Sequence, residues 1–308
     1  MGVDRLYRVA WKVLPKLPQG LVIGGAEVAA DVVYALNGNS VKQMRRNYEQ
    51  LSGRPPTNNE VRQGVRSYFR NFAQQFTLPG WSKKRIREGC VYPKAEQTRK
   101  LMENGPVVLA LTHSGNWDLA GAWFCQEWGG ILTVAEKLDP EDLFDQFVEF
   151  REGIGMEIIG VGKGEHIFSD LVRRAEGRPL LVPLLADRDI SGSGIEVSLG
   201  ASRALVAAGP AALALKLGRP LIAGHISYEK VKGSWRIQAH FTDPIQAPEP
   251  REGETKVEAL TRAWADAISP AMVEYMVDWH MMQKLFVSDL DPERLARARE
   301  RHSKGSTH

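Results

Sequence analysis

Cysteine is scarce in this 308-residue chain, which contains two, Cys90 and Cys125. Their separation fits neither a disulfide framework nor a thiolate metal site of the Cys-x-x-Cys kind. The scarcity excludes the class of small secreted proteins that depend on disulfides, and it favours a reducing compartment. We expect both side chains to act as small buried apolar groups.

The sequence also lacks the motifs that identify several enzyme classes. No His-x-x-x-His pair or His/Cys cluster occurs at metal-ligand spacing, so we predict no zinc or iron site. The absence of a Gly-x-Ser-x-Gly elbow argues against a serine hydrolase. Neither a P-loop nor a Gly-x-Gly-x-x-Gly loop follows a predicted strand, and the nearest approach, Gly160–Gly164, is interpreted as a plain turn.

Long apolar runs are absent as well, and no amino-terminal signal peptide is recognisable. The best candidate, Leu21–Leu36, carries Glu27 and Asp31 and is short for a membrane-spanning helix. We interpret this segment as either a buried helix or a helix that lies in a membrane interface. The prediction is a protein that lies on a membrane without crossing it.

Charge is distributed unevenly, although the whole chain is nearly neutral at +3. Residues 1–100 contain 18 Lys or Arg and 7 Asp or Glu, a local charge of +11, and the remainder carries −8. A basic segment of this kind favours an anionic partner, either nucleic acid or a membrane surface. One helical stripe over residues 5–17 carries four basic side chains: Arg5, Arg8, Lys12 and Lys16. It fits a membrane interface or, alternatively, a surface helix docked on the protein's own core.

From Pro106 onward, apolar runs alternate with helical patterns, which predicts an α/β fold with a central mixed, largely parallel sheet flanked by helices. The predicted strands are Val107–Leu111, Ile131–Ala135, Glu157–Val161, Leu180–Ala186, Leu221–Tyr228 and Trp235–His240, the last two forming an antiparallel hairpin. The predicted helices are Val41–Leu51, Asn59–Phe76, Trp117–Glu127, Pro140–Ile154, Glu165–Glu176, Pro210–Leu217 and Thr255–Val277. We predict one domain over 1–308, with a basic, helical, membrane-facing region at 1–100, an α/β core at 101–290 and a charged tail at 291–308.

One predicted strand ends in a histidine that is followed closely by a carboxylate. The apolar run Val107–Leu111 stops at Thr112 and His113, a turn follows at Ser114–Asn116, and Asp118 lies in the first turn of the next helix. A histidine in this place can accept a proton, and a nearby carboxylate can fix its tautomer and stabilise its charged form. The position agrees with the rule that α/β proteins place their sites at the carboxyl ends of strands.

Polar side chains follow other elements of the predicted sheet. Glu136 follows the second strand, Arg151 lies near the end of the next helix, and Asp187, Arg188 and Asp189 follow a very apolar strand. Each of these alone fits a solvated loop with a helix or turn cap. Their recurrence along one edge of a sheet favours a functional site.

The candidate residues include a base but no obvious protein nucleophile. The pattern fits direct transfer, in which His113 takes a proton from a substrate hydroxyl and that oxygen attacks an activated carbonyl, such as a thioester. The oxyanion that develops needs hydrogen-bond donors. The backbone N–H groups of Ser114, Gly115 and Asn116, at a helix start, are candidates.

The segment His113–Asp118 resembles the His-x-x-x-x-Asp motif of glycerolipid-type acyltransferases. Its form is similar to that of the lipid A lauroyl/myristoyl acyltransferase family, and most of all to the actinobacterial branch, the phosphatidylinositol mannoside acyltransferases. Further segments that resemble this branch are Val134–Lys137, Arg151, Leu185–Val197, Ala208–Ala214 and Trp279–Phe286. The resemblance extends over most of the chain between Pro106 and Phe286.

The resemblance implies transfer of a long acyl chain from the co-substrate acyl-CoA to a mannose hydroxyl of a phosphatidylinositol mannoside. The protein would be peripheral, on the cytoplasmic face of the plasma membrane, with an anionic membrane surface as partner and without cofactor, metal or nucleic acid. His113 would be the general base, Asp118 its orienting partner, and Asp187, or alternatively Glu196, a supporting carboxylate. The candidate substrate-binding residues are Ser114, Gly115, Asn116, Glu136, Arg151, Arg188, Asp189 and Glu196.

Two segments depart from the family pattern near the expected acyl groove. The family usually has an aromatic pair where Ser198–Gly200 stands, and a proline near Val206–Ala208. These departures leave the acyl-chain length and the acceptor open, including another glycolipid or a lysolipid. A lipid-binding or lipid-transfer protein without turnover is the second interpretation. The third, an enzyme that binds nucleic acid, lacks any supporting motif.

Overall fold

The computed structural model describes residues 10, 13–136, 141–162, 167–189, 194–293, 295 and 296. Within this part of the chain, a set of helices precedes an α/β core. Most of the basic stripe predicted at residues 5–17 lies outside the described residues, as does the end of the charged tail. The predicted division into 1–100, 101–290 and 291–308 stays a prediction.

Five α-helices precede the core in the described residues. They are α1 (Gln19–Leu36), α2 (Asn39–Ser52), α3 (Asn58–Thr77), α4 (Lys83–Glu88) and α5 (Ala95–Met102). α3 begins at a capping box, in which the side chains of Thr57 and Glu60 each accept a hydrogen bond from the other's backbone N–H. The predicted helices Val41–Leu51 and Asn59–Phe76 are confirmed as α2 and α3.

Ion pairs join the facing sides of α1 and α3. Asp31 accepts two hydrogen bonds from Arg62, at 2.9 and 2.6 Å, and two from Arg66, at 2.8 and 2.5 Å. Glu27 lies 3.7 Å from the guanidinium of Arg70. Part of the positive charge of residues 1–100 is therefore neutralised by pairing between these two helices.

The other side of α1 is an exposed apolar stripe that consists of Leu21, Val28, Val32 and Leu36. Of the helix, Val22 and Ala30 are buried, so the interpretation as a buried helix is wrong. Among the described residues, α1 is the one helix long and apolar enough to cross a membrane by length and composition. Its length therefore does not exclude a span, contrary to the prediction, although its acidic residues hold it against α3.

The main sheet has seven strands in the described residues, and all except the first agree closely with the predicted bounds. They are β1 (Cys90–Val91), β2 (Val107–Leu111), β3 (Ile131–Glu136), β4 (Met156–Val161), β5 (Leu181–Leu185), β8 (Leu221–Val231) and β9 (Ser234–Phe241). Their order in the described residues is β1-β9-β8-β2-β5-β3-β4. Neighbouring strands are parallel except β8 and β9, which form the predicted antiparallel hairpin. The mixed, largely parallel α/β fold is confirmed.

A second, two-stranded sheet lies outside the sequence predictions. β6 (Ile195–Leu199) pairs antiparallel with β7 (Ser202–Val206) across a turn at Gly200. Gly200 has a φ of +61°, and a Cβ there would lie 2.1 Å from the Leu51 carbonyl oxygen. Glycine is therefore required at this turn both by conformation and by the close approach of α2.

Helices cover both faces of the main sheet. They are α6 (Trp117–Glu127), α7 (Glu141–Gly153), α8 (Phe168–Ala175), α9 (Gly209–Leu217) and α10 (Lys256–Glu274). Side chains of β2 alternate between two apolar cores, so that Val108 and Ala110 face one core while Leu109 and Leu111 face the core that contains α6. The parallel arrangement brings the carboxyl ends of β2, β3, β4 and β5 to one edge of the sheet.

Candidate active site

His113 and Asp187 meet because β2 and β5 are parallel neighbours. Leu111 pairs with Leu185 in the register, so the residues that follow the two strands leave the sheet side by side. His113 Nδ1 lies 2.5 Å from Asp187 Oδ1, and the His113 backbone N–H donates to Asp187 Oδ2 at 3.0 Å. One carboxylate therefore holds both the ring and the backbone of the histidine.

Among the described residues, one nitrogen of the His113 ring, Nε2, has no hydrogen-bond partner, whereas Nδ1 faces Asp187. Asp187 is fully buried, whereas 24 % of the His113 side chain is exposed. Burial raises the pKa of Asp187, but the His113 ring and the hydrogen bonds from His113 and Trp279 outweigh it, so the pKa lies below its ordinary value. The ionised carboxylate favours the tautomer with hydrogen on Nδ1, and Nε2 can then accept a proton.

Asp118 does not orient the imidazole, and the sequence prediction of that contact is wrong. Its carboxylate accepts hydrogen bonds from Gln75 Nε2 of α3 and from Arg151 Nε of α7, the latter at 2.8 Å. Asp118 is fully buried in the first turn of α6, between these two helices. Asp118 is therefore close to His113 in sequence, but its carboxylate does not contact the His113 ring.

Glu196, the alternative to Asp187, has a different partner. It lies on β6, and its carboxylate is 3.2 Å from Arg203 Nε on the paired strand β7. The carboxylate that contacts His113 is therefore Asp187, and the predicted contact of Glu196 with substrate stays a prediction. The strand pairing of β6 explains the difference, because it places Glu196 beside its cross-strand neighbour.

The turn at Ser114–Asn116 is built by its own side chains. Ser114 Oγ accepts a hydrogen bond from the Ile226 N–H at 2.9 Å. Asn116 caps α6 by accepting from the Leu119 N–H at 2.9 Å. Both side chains are buried and serve the protein's own structure, and the contact of this turn with substrate stays a prediction. Gly115 has a φ of +53°, and a Cβ there would lie 2.5 Å from Ile226 Cγ2.

Two of the predicted oxyanion donors are already engaged. The Ser114 N–H donates to the Thr112 carbonyl at 2.8 Å, and the Gly115 N–H donates to the Asp278 carbonyl at 2.9 Å. These groups cannot also serve a substrate oxyanion, so this part of the prediction is wrong. The N–H groups at the start of α6 are the donors that helix geometry leaves without intrahelical partners.

The remaining predicted residues are spread along the same edge of the sheet. Glu136 is the exposed last residue of β3. Arg188 is half-buried directly after Asp187, and Asp189 is buried, with its N–H donating to the Leu205 carbonyl at 3.2 Å. Their predicted contacts with substrate stay predictions. Arg151, in contrast, is brought to Asp118 and lies at the wall of a cavity.

A narrow apolar cavity of about 90 Å³ lies between α6 and the sheet. Trp117, whose ring centroid is 6.3 Å from that of His113, lines it together with Asp118 and Arg151. Aromatic rings of Tyr92 and Phe241 line it beside β1 and β9. The sequence analysis placed Ser198–Gly200 and Val206–Ala208 near an acyl groove, but neither segment is in the described lining of this cavity. Leu199 and Val206 instead belong to the core on the opposite face of the sheet.

Sequence reasoning missed two residues that complete the site. Gln75 holds Asp118 from α3, and Trp279 Nε1 donates to Asp187 Oδ2 at 2.6 Å. Both come from elements remote in sequence from the strand ends. Trp279 falls in a segment that the resemblance singles out, which was the available signal for it. For Gln75, the local sequence offers no signal.

Within the described ranges, no group of three or more His, Cys, Asp or Glu side chains has an arrangement that could hold a metal ion. His113, Asp187, Asp118 and Arg151 instead form two buried or half-buried acid–base pairs. The first pair offers a proton acceptor whose ring faces Trp117 of the cavity wall, and the second places a guanidinium at that wall. This chemistry suits proton abstraction and the stabilisation of negative charge.

The chain is similar to known proteins along nearly its whole length. Residues 1–288 match the family described as bacterial lipid A biosynthesis acyltransferase. A phosphatidylinositol mannoside acyltransferase of Mycolicibacterium smegmatis is 33% identical over 300 residues, which cover 96% of this chain and 94% of the relative. One of Mycobacterium tuberculosis is 30% identical over 306 residues, with coverages of 97% and 93%. These matches confirm the resemblance seen in the motifs.

Proposed function

The chain belongs to the bacterial lipid A biosynthesis acyltransferase family, and from that premise we propose that it transfers a long acyl chain from acyl-CoA to a mannose hydroxyl of a phosphatidylinositol mannoside. The acceptor follows the names of its relatives. The observation that carries the proposal is the His113–Asp187 pair, whose half-buried ring faces Trp117, a residue that lines the apolar cavity. Acyl transfer requires a base for a hydroxyl and an apolar space for a hydrocarbon chain.

In the proposed reaction, His113 Nε2 accepts the proton of the mannose hydroxyl while the oxygen attacks the thioester carbonyl carbon. A C–O bond forms, and the carbonyl electrons move to the oxygen. When this intermediate collapses, the C–S bond breaks and the thiolate of CoA takes the proton from the imidazolium. The products are the ester and free CoA. Asp187 stabilises the imidazolium and maintains the ring orientation throughout.

We assign stabilisation of the oxyanion to Arg151 and the start of α6. Arg151 is held through its Nε by Asp118, and it lines the cavity with a side chain that is 17 % exposed. The N–H groups of Trp117 and Asp118 open α6 and lie at its positive end. A charged donor and a helix start together suit a developing negative charge. These steps use acyl-CoA as co-substrate and call for no further cofactor.

The apolar cavity between α6 and the sheet, at about 90 Å³, is proposed to hold the part of the acyl chain nearest the thioester. Its walls are mostly aliphatic and aromatic, and the charged side chains that line it are Asp118 and Arg151. We propose that the protein lies peripherally on the cytoplasmic face of the plasma membrane. The exposed apolar stripe of α1 supports this membrane association.

The test is an assay of purified protein with labelled long-chain acyl-CoA and one of three acceptors, a phosphatidylinositol mannoside, an unrelated glycolipid or a lysophospholipid. We expect acylated phosphatidylinositol mannoside, identified by mass spectrometry. Loss of the base in His113→Ala should lower the rate by about 10²–10⁴-fold, so we expect no detectable product. Circular dichroism and lipid binding of this variant should remain those of the wild type.

Each other outcome is decisive. A product made only from a different acceptor would replace the mannoside in the proposal. Binding of acyl-CoA without any product would indicate a lipid-binding protein. Near-normal turnover by folded His113→Ala would show that the base lies elsewhere.

A further inference from the structure

Asp187 owes its orientation to three donors. Oδ1 faces His113 Nδ1 at 2.5 Å, while Oδ2 accepts from the His113 backbone N–H at 3.0 Å and from Trp279 Nε1 at 2.6 Å. The donor from Trp279 is the one that does not belong to the histidine. It therefore fixes the second carboxylate oxygen independently of the ring that the first oxygen must orient.

Trp279 is itself held rigidly. The indole is fully buried and packs edge-to-face on Phe286, with ring centroids 6.3 Å apart and an interplanar angle of 83°. Tyr48 Oη donates to the Trp279 carbonyl at 3.1 Å. The next residue, His280, donates its N–H to the His113 carbonyl at 2.7 Å. One short segment thus anchors the backbone of His113 and, through the indole, its carboxylate partner.

We infer that Trp279 is a positioning residue of the acyl-transfer reaction, acting through Asp187 to keep Oδ1 on His113 Nδ1 and Nε2 directed to the substrate. This inference rests on the proposed function. Without the indole N–H, Asp187 Oδ2 would lose a donor in a buried place and the carboxylate could turn away from the ring. The imidazole would then lose its fixed tautomer, and the base would be available for a smaller fraction of the time.

The first test is Trp279→Phe, which removes the N–H and keeps an aromatic ring. Loss of one hydrogen bond to a charged group predicts a fall in kcat of about 10- to 100-fold. We expect the KM for acyl-CoA to change less than about threefold. Replacement of Trp279 by 3-benzothienylalanine, which has sulfur in place of the N–H and retains the bicyclic shape, should give the same fall and covers the case in which Trp279→Phe fails to fold.

A matched control is available in the core. Trp264 of α10 is also fully buried, and its Nε1 has no hydrogen-bond partner among the described residues. Trp264→Phe makes the same change in volume without touching a carboxylate. We expect it to lower stability but to leave kcat of the folded enzyme within about twofold of the wild type.

Two readouts separate positioning from packing. In the Asp187→Ala background, Trp279→Phe should have little further effect on kcat, because the group through which it acts is gone. In the wild type, the His113 Nδ1 proton should give a downfield NMR resonance that weakens or moves upfield in the benzothienyl variant. An equal fall in kcat in both backgrounds, or wild-type kcat for the benzothienyl variant, would overturn the inference. The resonance tests the contact even if the wild type does not transfer acyl groups, so failure of the proposed function is distinguishable.

Discussion

At the scale of single residues, the two buried aspartates near His113 have separate partners. Asp187 contacts the imidazole, whereas Asp118 contacts Gln75 and Arg151. A carboxylate beside a proton-accepting ring stabilises the charge that appears on the ring during reaction. A carboxylate beside an arginine instead holds in place a guanidinium that is positively charged at every stage of the reaction. Neutralising each aspartate should therefore change kcat and the pH profile in a different way.

Asp187→Asn should lower kcat by about 10²–10⁴-fold, because the ring loses its tautomer control and its counter-charge. Asp118→Asn should have a smaller effect of about tenfold, because Arg151 keeps its charge and loses its anchor. The measurement is kcat and KM against pH for each variant. Asp118→Asn should retain the wild-type shape of the pH profile, whereas Asp187→Asn should change it.

Asp243→Asn is a suitable control, since this carboxylate pairs with Lys94 at the surface. It should leave kcat within about twofold of the wild type. The assignment of the two roles would be wrong if Asp118→Asn altered the pH profile as strongly as Asp187→Asn, or if both variants were fully active.

At the scale of elements, six strands of the main sheet were predictable, but of their pairings the sequence predicted only the β8–β9 hairpin. β2 and β5 are continuous apolar runs, which is the pattern of strands buried on both faces. Nothing local shows that β5, and not β3, is the neighbour of β2, and that pairing is what brings Asp187 to His113. The β6–β7 hairpin was missed although buried and less buried side chains alternate along β6. β1, with two residues, is too short to leave a pattern.

The 3₁₀ segment Met276–Asp278 connects several elements through one buried carboxylate. Asp278 accepts from Ser67 Oγ of α3 at 2.5 Å and from the Tyr228 N–H of β8 at 2.8 Å. Its carbonyl also holds the Gly115 N–H in the active-site turn. Burial raises the pKa of Asp278 to about 6 despite these bonds and the nearby Arg70. Burying Asp278 at this junction therefore costs the least free energy when its carboxyl group is protonated.

The sign of the resulting pH dependence follows from linkage. Between the ordinary pKa of 3.8 and about 6, the folded protein binds the proton of Asp278 more tightly than the unfolded chain. Its contribution to stability therefore falls as pH rises through this window, by about 2–3 kcal/mol in total. Asp278→Asn removes the charge, and its amide can pair with Ser67 and Tyr228. We expect this variant to be more stable than the wild type at pH 7 and nearly equal at pH 3.5.

Urea unfolding at both pH values provides the check, with the difference between variant and wild type cancelling other titrating groups. Ser67→Ala serves as a control, because it removes a hydrogen bond but leaves the carboxyl group to titrate. A variant that is destabilised equally at pH 3.5 and pH 7 would show that the hydrogen bonds of Asp278, and not its ionisation, determine the stability.

At the scale of the whole molecule, α3 connects the outward-facing helix to the site. Arg66 pairs with Asp31 of α1, and Gln75 on the same helix holds Asp118. These contacts are separated by about 13 Å along the helix axis at 1.5 Å per residue. The Arg62 and Arg66 guanidinium groups hold the pKa of Asp31 well below its usual range, so the pairing persists at neutral pH. Through these contacts, α3 holds α1 in a fixed position relative to the active site.

The exposed stripe of α1 should determine attachment to a membrane. Fully burying an aliphatic side chain contributes about 1.5–3 kcal/mol, whereas each basic residue near an anionic leaflet adds about 1 kcal/mol that salt screens. Arg62 and Arg66 are paired with Asp31, so the attraction of these two residues to an anionic leaflet is offset by that carboxylate. We expect the double variant Leu21→Ser/Val28→Ser to partition onto phosphatidylglycerol-containing vesicles at least tenfold less than the wild type, at both low and high salt. High salt alone should release the wild type only in part. Val273→Ser, at an exposed site on α10, is the control. Wild-type partitioning of the double variant in cosedimentation would show that the stripe does not enter the membrane.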